Sequence, residues 1–283
     1  MNYLKMFEEY LHNEDKSKNT IDGYMRDLTD FYNWYIDKNN CKLTDIIGLD
    51  TQEYKKVLEK QYKATTINRK VATLNKFLGW MKNNNYITKD IKLKQIKNND
   101  GVKFKGLEEK TLWQLRKEIH RMGNLLHICI IEILMNTGIR VSELCSIQLQ
   151  DIEITERKGV LKVTGKGNKQ REIPLNKDVR EAISNYLEVR KAKNDDYYLL
   201  QGQRGAMTRK AIDIILKNYG SRLNIDVSAH MLRHTLAYKL VTNSNVSITT
   251  VQSILGHEKL ETTMIYTQTL NKDKENALEN IEW

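Results

Sequence analysis

Residues 152–174 read IEITERKGVLKVTGKGNKQREIP, and they decide the fold class. Ile152–Thr155, Val160–Thr164 and Gln170–Pro174 are short and β-rich, and Gly165-Lys166-Gly167-Asn168-Lys169 lies between the last two. Glycine and asparagine tolerate positive φ, so GKGNK predicts a hairpin turn joining antiparallel strands. Almost everything else has helical periodicity. The expectation is a mainly α chain with a small antiparallel β-sheet in its second half.

Working towards the N-terminus, residues 1–95 predict four helices. Leu4, Phe7, Tyr10 and Leu11 recur at helical spacing, as do Ile21, Tyr24, Leu28, Phe31, Tyr32 and Tyr35. A third helix is expected to follow Asp50 as its N-cap, with Tyr54, Val57 and Leu58 inward. The fourth uses Ile67, Val71, Leu74, Phe77, Leu78 and Met81, and its other face carries Asn68, Arg69, Lys70 and Lys76. Residues 96–106 are polar and basic without periodicity, and read as a linker. Residues 107–283 form a second domain. Helices are expected at about 109–120, 125–135, 140–146, 177–190, 208–218, 229–242, 247–254 and 259–268, with a short helix at the C-terminus.

The net charge is +10 over 283 residues, and its distribution is uneven. Residues 61–105 hold eleven Lys/Arg against two Asp, whereas residues 1–60 hold nine basic and twelve acidic side chains. A polyanionic partner suits this balance, although a solvated lysine face fits it too. If the stripe faces DNA, the candidate backbone contacts are Arg69, Lys70, Lys76, Lys103 and Lys105, with Lys169 and Arg171 beside the hairpin. Cys41, Cys129 and Cys145 show no metal-ligand spacing, which points to a reducing cytosol and no structural zinc. The opening MNYLKMFEEYLHNEDK has no signal-peptide apolar region, and no run approaches the roughly 20 apolar residues that cross a bilayer. A cytoplasmic location is expected, with no membrane contact.

Six residues stand out for their chemistry. Arg140 lies in TGIRVSEL (137–144), just past a glycine break, where a helix start adds its dipole to the pull on phosphate. Alone, it also fits a surface pair with Glu143. Lys166 at the hairpin tip can reach into a groove and protonate a leaving oxygen, or can be a solvated turn lysine. His230 and Arg233 share one helix face at i and i+3, an arrangement that favours a bridging anion. His234 is expected to point elsewhere. Gly256 predicts a helix C-cap, with His257 on the loop beyond it and Tyr266 nine residues later.

Taken together, TGIRVSEL, GKGNKQREIPL, HMLRHTLA, LGH and Tyr266 resemble the tyrosine recombinase (phage-integrase-type) family, in its Xer-like and transposon-resolvase branch. The family order Arg, Lys, His-x-x-Arg, His/Trp, Tyr is matched at all six positions. The resemblance implies a two-domain, C-shaped DNA clamp whose first domain is the helical, SAM-like core-binding domain. It implies that Tyr266 is a nucleophile forming a 3′-phosphotyrosine, that Arg140, Arg233 and His257 bind the phosphate, that Lys166 is the general acid, and that His230 assists proton transfer. It implies no metal and no cofactor. It also implies a homo-tetramer on a specific double-stranded DNA site, with the tail 271–283 docked in trans and accessory factors possible. Resolution of replicon dimers or cointegrates is the expected role. Integration or excision of a mobile element, a type IB-like topoisomerase, and a DNA-binding protein without activity are the alternatives.

Overall fold

The computed structural model describes residues 2–39, 41–97, 106–191, 197–243 and 246–256, with Thr263, Met264 and Tyr266; for residues 39 and 166 it describes the backbone only. The chain divides into two compact units, Met1–Asp100 and Gly101–Trp283.

The first unit is built from α1 (Tyr3–Asn13), α2 (Lys18–Asn39), α3 (Gly48–Gln61) and α4 (Ala64–Asn83). Their apolar stripes meet in one core. Phe7 and Leu11 of α1 join Leu28, Phe31 and Tyr35 of α2 and Ile67, Leu74, Phe77 and Met81 of α4. Phe7 and Phe77 pack edge to face with centroids 5.2 Å apart. Each such side chain contributes about 1.5–3 kcal/mol on burial, which is the main force holding the unit together.

Three expectations change here. Tyr32 lies on the outside of α2, 37% exposed, because it is one position off the buried stripe. Asp50 is not an N-cap: α3 begins at Gly48, and Asp50 accepts the Ile47 N–H from inside the first turn at 2.9 Å. The start of the expected linker is not free chain. The Asn68 amide of α4 exchanges two hydrogen bonds with the backbone of Ile96 (2.8 and 2.9 Å), and Asn75 does the same with Leu93. Two side-chain amides therefore act as a strand edge and hold the extended segment on α4.

The basic face of α4 is largely braced internally. Lys70 is only 5% exposed, with its ammonium 2.7 Å from Asp30 and 3.2 Å from buried Asp27. That burial corrects the expectation that Lys70 contacts DNA: a charge taken from water needs fixed partners, and α2 supplies them. Arg69 also bonds to Asp27, and Lys76 bonds to Glu14 at 2.7 Å. Of these three, Arg69 keeps the most exposed side chain.

The second unit is arranged around α6 (Leu125–Thr137), whose residues 128–134 are all buried. Around it lie α5 (Glu109–Met122), α8 (Lys177–Val189) and α10 (Ala229–Thr242). The remaining helices are α7 (Val141–Ser146), α9 (Arg209–Leu223) and α11 (Ile248–Leu255). The strands β1 (Ile152–Ile154), β2 (Gly159–Thr164) and β3 (Gln170–Pro174) form an antiparallel sheet in the order β1-β2-β3. The hairpin closes through Gly165 N–H to Lys169 O at 2.8 Å, with Gly167 at φ 72° and Asn168 at φ 60°. A second, two-residue hairpin, β4 (Gln201–Gly202) with β5 (Gly205–Ala206), was not anticipated from sequence. Leu107 N–H donates to the buried Thr235 hydroxyl at 2.8 Å, tying the start of the unit to α10.

Candidate active site

Three arginines from three elements converge on the C-terminal end of α11. Arg140, at the N-cap of α7, donates to Gly256 O at 3.3 Å. Arg233 of α10 donates to Leu255 O at 2.8 Å, and Arg171 of β3 donates to Ile254 O at 3.2 Å. The last carbonyls of a helix have no partner within it and carry the negative end of its dipole. The last two carbonyls of α11 and that of its C-cap, Gly256, are thus satisfied by three guanidiniums. Arg233 also donates to Gly138 O, at the C-cap of α6, at 2.5 Å. Gly138 and Gly256 both have positive φ, and there is no room beside them. A Cβ at 138 would meet Leu255 and Leu236 at 2.8 and 3.0 Å.

Glu143 is the one carboxylate in this cluster among the described residues. It accepts the Arg140 N–H at 2.8 Å and the Arg140 guanidinium at 2.9 Å, and takes Arg171 on both oxygens at 3.2 and 2.9 Å. Burial pushes its carboxyl up, but Arg171, the Arg140 N–H and the Arg140 guanidinium outweigh burial and hold it below the usual carboxylate range. Arg233 shows the opposite imbalance. Burial first, then the charge of Arg140, with a smaller push from Arg171, bring its guanidinium down to about 10 against the opposing pull of Glu143. Three guanidiniums against one carboxylate leave the cluster with an excess of positive charge. A phosphate bearing non-bridging oxygens suits it.

Tyr266 borders the pocket and is 8% exposed. Burial raises its phenol above the ordinary value, and the charge of Arg233 acts in the opposite direction. Its hydroxyl lies 2.6 Å from His234 Nδ1, and His234 Nε2 lies 2.8 Å from His230 Nε2.

The structure therefore brings Arg140, Arg233, His230 and Tyr266 into one region. Lys166 stands at the tip of the β2–β3 hairpin, in a single 3₁₀ turn, and its backbone alone is described. Lys169 is exposed at the foot of the same hairpin. His257, Lys103, Lys105 and the tail lie outside the described residues.

Two sequence readings are corrected. Arg171 is not turned outward towards a DNA backbone: its side chain is 13% exposed and fixed to Glu143 and Ile254. The alternation of β3 could have revealed this, because Arg171 shares a sheet face with buried Ile173. His234 does not point away from the site. It stands at i+4 from His230, the spacing that stacks side chains on one helix face.

Residues 105–273 match the phage integrase family, and residues 4–85 match the phage integrase N-terminal SAM-like domain. The tyrosine recombinase XerC of Listeria innocua is 32% identical over 277 residues, covering 93% of this chain and 91% of its own. XerC of Staphylococcus epidermidis is 35% identical over 267 residues, covering 90% and 88%. The crystal structure of the XerH site-specific recombinase bound to a palindromic difH substrate, a post-cleavage complex, is similar in fold. Its TM-score is 0.74 at 21% identity, covering 92% of this chain and 79% of that one. The chain belongs to the phage integrase family, that of the tyrosine recombinases. It is an enzyme of site-specific DNA recombination.

Proposed function

We propose that Tyr266 attacks the scissile phosphate of a specific DNA site and becomes a 3′-phosphotyrosine, releasing a 5′-hydroxyl. Arg140 and Arg233 hold the non-bridging oxygens, and His257 adds a hydrogen bond to them. Lys166 protonates the leaving 5′-oxygen, and His230 serves proton transfer from the phenol. A 5′-hydroxyl from the partner duplex then attacks the phosphotyrosine and rejoins the strands in a new pairing. The reading needs neither metal nor ATP: guanidiniums neutralise the developing charge, and the phosphotyrosine conserves the bond energy. The observation that carries it is the convergence of Arg140, Arg171 and Arg233 on carbonyls 254–256 around the one carboxylate of Glu143, with the Tyr266 hydroxyl held by His234 of the same helix as Arg233.

Strand exchange joins two duplexes, so the reading implies four protomers, with residues 271–283 reaching a neighbour. The biological role we favour is resolution of dimers or cointegrates of a replicon or mobile element, in the cytoplasm. Accessory factors are compatible with it.

The test is incubation of the purified protein in EDTA with supercoiled DNA carrying the sequence that flanks its gene, followed by a detergent quench. A covalent protein–DNA adduct, absent with Tyr266→Phe, is the expected result, and mapping it gives the site. An adduct that persists in Tyr266→Phe would move the nucleophile elsewhere. Relaxation of DNA without any site would favour a topoisomerase.

A further inference from the structure

Helix α10 carries a third ionisable side chain in the site, for which the chemistry above has no use. His234 lies one turn beyond His230, and the two rings meet edge to face with centroids 4.1 Å apart. On its other side, His234 Nδ1 is 2.6 Å from the Tyr266 hydroxyl, and those ring centroids are 5.5 Å apart. The three side chains form a line. One end is the buried phenol, and the other is the exposed imidazole of His230.

We propose that His234 is the general base that takes the phenolic proton of Tyr266, and that His230 passes this proton to solvent. The proposal rests on the reading of Tyr266 as nucleophile. A phenol ordinarily titrates near 10, and a protonated hydroxyl is a poor nucleophile unless a base lies within hydrogen-bond reach. The bond to the Tyr266 hydroxyl at 2.6 Å is made by His234.

As the Tyr266 oxygen bonds to phosphorus and the bond to the 5′-oxygen breaks, the phenolic proton moves to His234 Nδ1. The proton on His234 Nε2 crosses 2.8 Å to His230 Nε2, and the proton on His230 Nδ1 leaves to water. The 5′-oxygen takes its proton from the general acid, so each proton has a donor and an acceptor. Among the described residues, the charge of Arg233 acts on the Tyr266 end of the line. His234 is half-buried and His230 is exposed, so water solvates a positive charge better on His230, which favours passing the proton on.

The test compares full-length wild-type protein, His234→Gln and His230→Gln in two measurements. The first is the rate of adduct formation, across pH, on a duplex bearing the mapped site. His234→Gln is expected to be slower by about 10²–10⁴-fold near neutral pH, the usual contribution of a general base. Its residual rate should climb with pH as hydroxide replaces the imidazole. His230→Gln should lose less, because water can relieve His234. A His234→Gln rate and pH profile equal to wild type, or faster cleavage, would overturn the base. The second measurement needs no DNA. In protein with ¹³Cζ-labelled tyrosine, the signal that disappears in Tyr266→Phe should move with an imidazole titration, and that movement should vanish in His234→Gln. A Tyr266 signal indifferent to His234 would overturn the contact itself. If the signal is coupled but even wild type forms no adduct, the nucleophile reading fails and the relay with it. If wild type reacts and His234→Gln is unimpaired, the relay alone fails.

Discussion

The guanidinium of Arg171 fills the space that a side chain at residue 256 would need. A Cβ on Gly256 would stand 2.8 Å from Arg171 Cζ and Nη1, at a backbone φ of 66°. One residue therefore depends on the absence of a side chain at the other. Gly256→Ala should cost about 1–3 kcal/mol from the left-handed backbone alone. It should also displace Arg171 from Ile254. Urea unfolding measures the first effect. A fall in adduct rate larger than the stability loss explains measures the second.

Glu143 couples two arginines, and its removal should be read against pH. Its carboxyl is held below the usual carboxylate range, so its stabilisation is present above the unfolded value of 4.5 and is lost as pH falls through the lower folded value. Glu143→Gln should remove that part of the acid destabilisation. Thermal melts from pH 3 to 7 should show a flatter curve for the variant. Cleavage should fall by about 10²-fold, the scale of a misplaced catalytic group.

Arg233 is a buried cation whose guanidinium is brought down to about 10 by burial and by Arg140. An anion in the pocket relieves that repulsion. Sulfate should therefore raise the melting temperature of wild type more than that of Arg233→Gln, as mass action requires of a ligand bound by the folded state. Equal shifts would mean that sulfate acts generally and not in the pocket. Removing such a donor typically reduces turnover by about 10²–10³-fold.

Lys70 should matter for folding and not for DNA. Lys70→Met removes one of two cations from Asp27, which is 3% exposed and stays bonded to Arg69, so the cost should fall below the about 3–5 kcal/mol of a buried charge left unpaired. Denaturant unfolding should show that loss. The dependence of DNA affinity on salt should stay unchanged, because no phosphate contact is removed. A shallower salt slope would return Lys70 to the DNA surface.

What was legible in the sequence was what short range decides. Gln170–Pro174 is the strand that the structure contains, and Gly167 and Asn168 take the positive φ that GKGNK predicted. Arg140 stands at a helix start, as the glycine break suggested, although as the N-cap itself. What was not legible is what distant residues decide. Lys70 and Arg171 look like surface cations until Asp27 and Glu143 arrive 43 and 28 positions away to bury them. The i+4 spacing from His230 already gives the face of His234, but its pairing with Tyr266 has meaning only once residue 266 is placed beside α10. The β4–β5 hairpin pairs two residues with two, too few for any periodicity to show.

The convergence of residues 140, 171 and 233 on carbonyls 254–256 has a consequence for biosynthesis. Domains emerge from the ribosome N-terminus first, at about 5–20 residues per second. A nascent chain released or proteolysed before residue 256 would lack the carbonyls that gather its guanidiniums, and one ending before Tyr266 would lack the phenol. With Tyr266 read as the nucleophile, a product cut short before residue 256 has neither the phenol nor the gathered guanidiniums, and should leave the DNA it touches uncut.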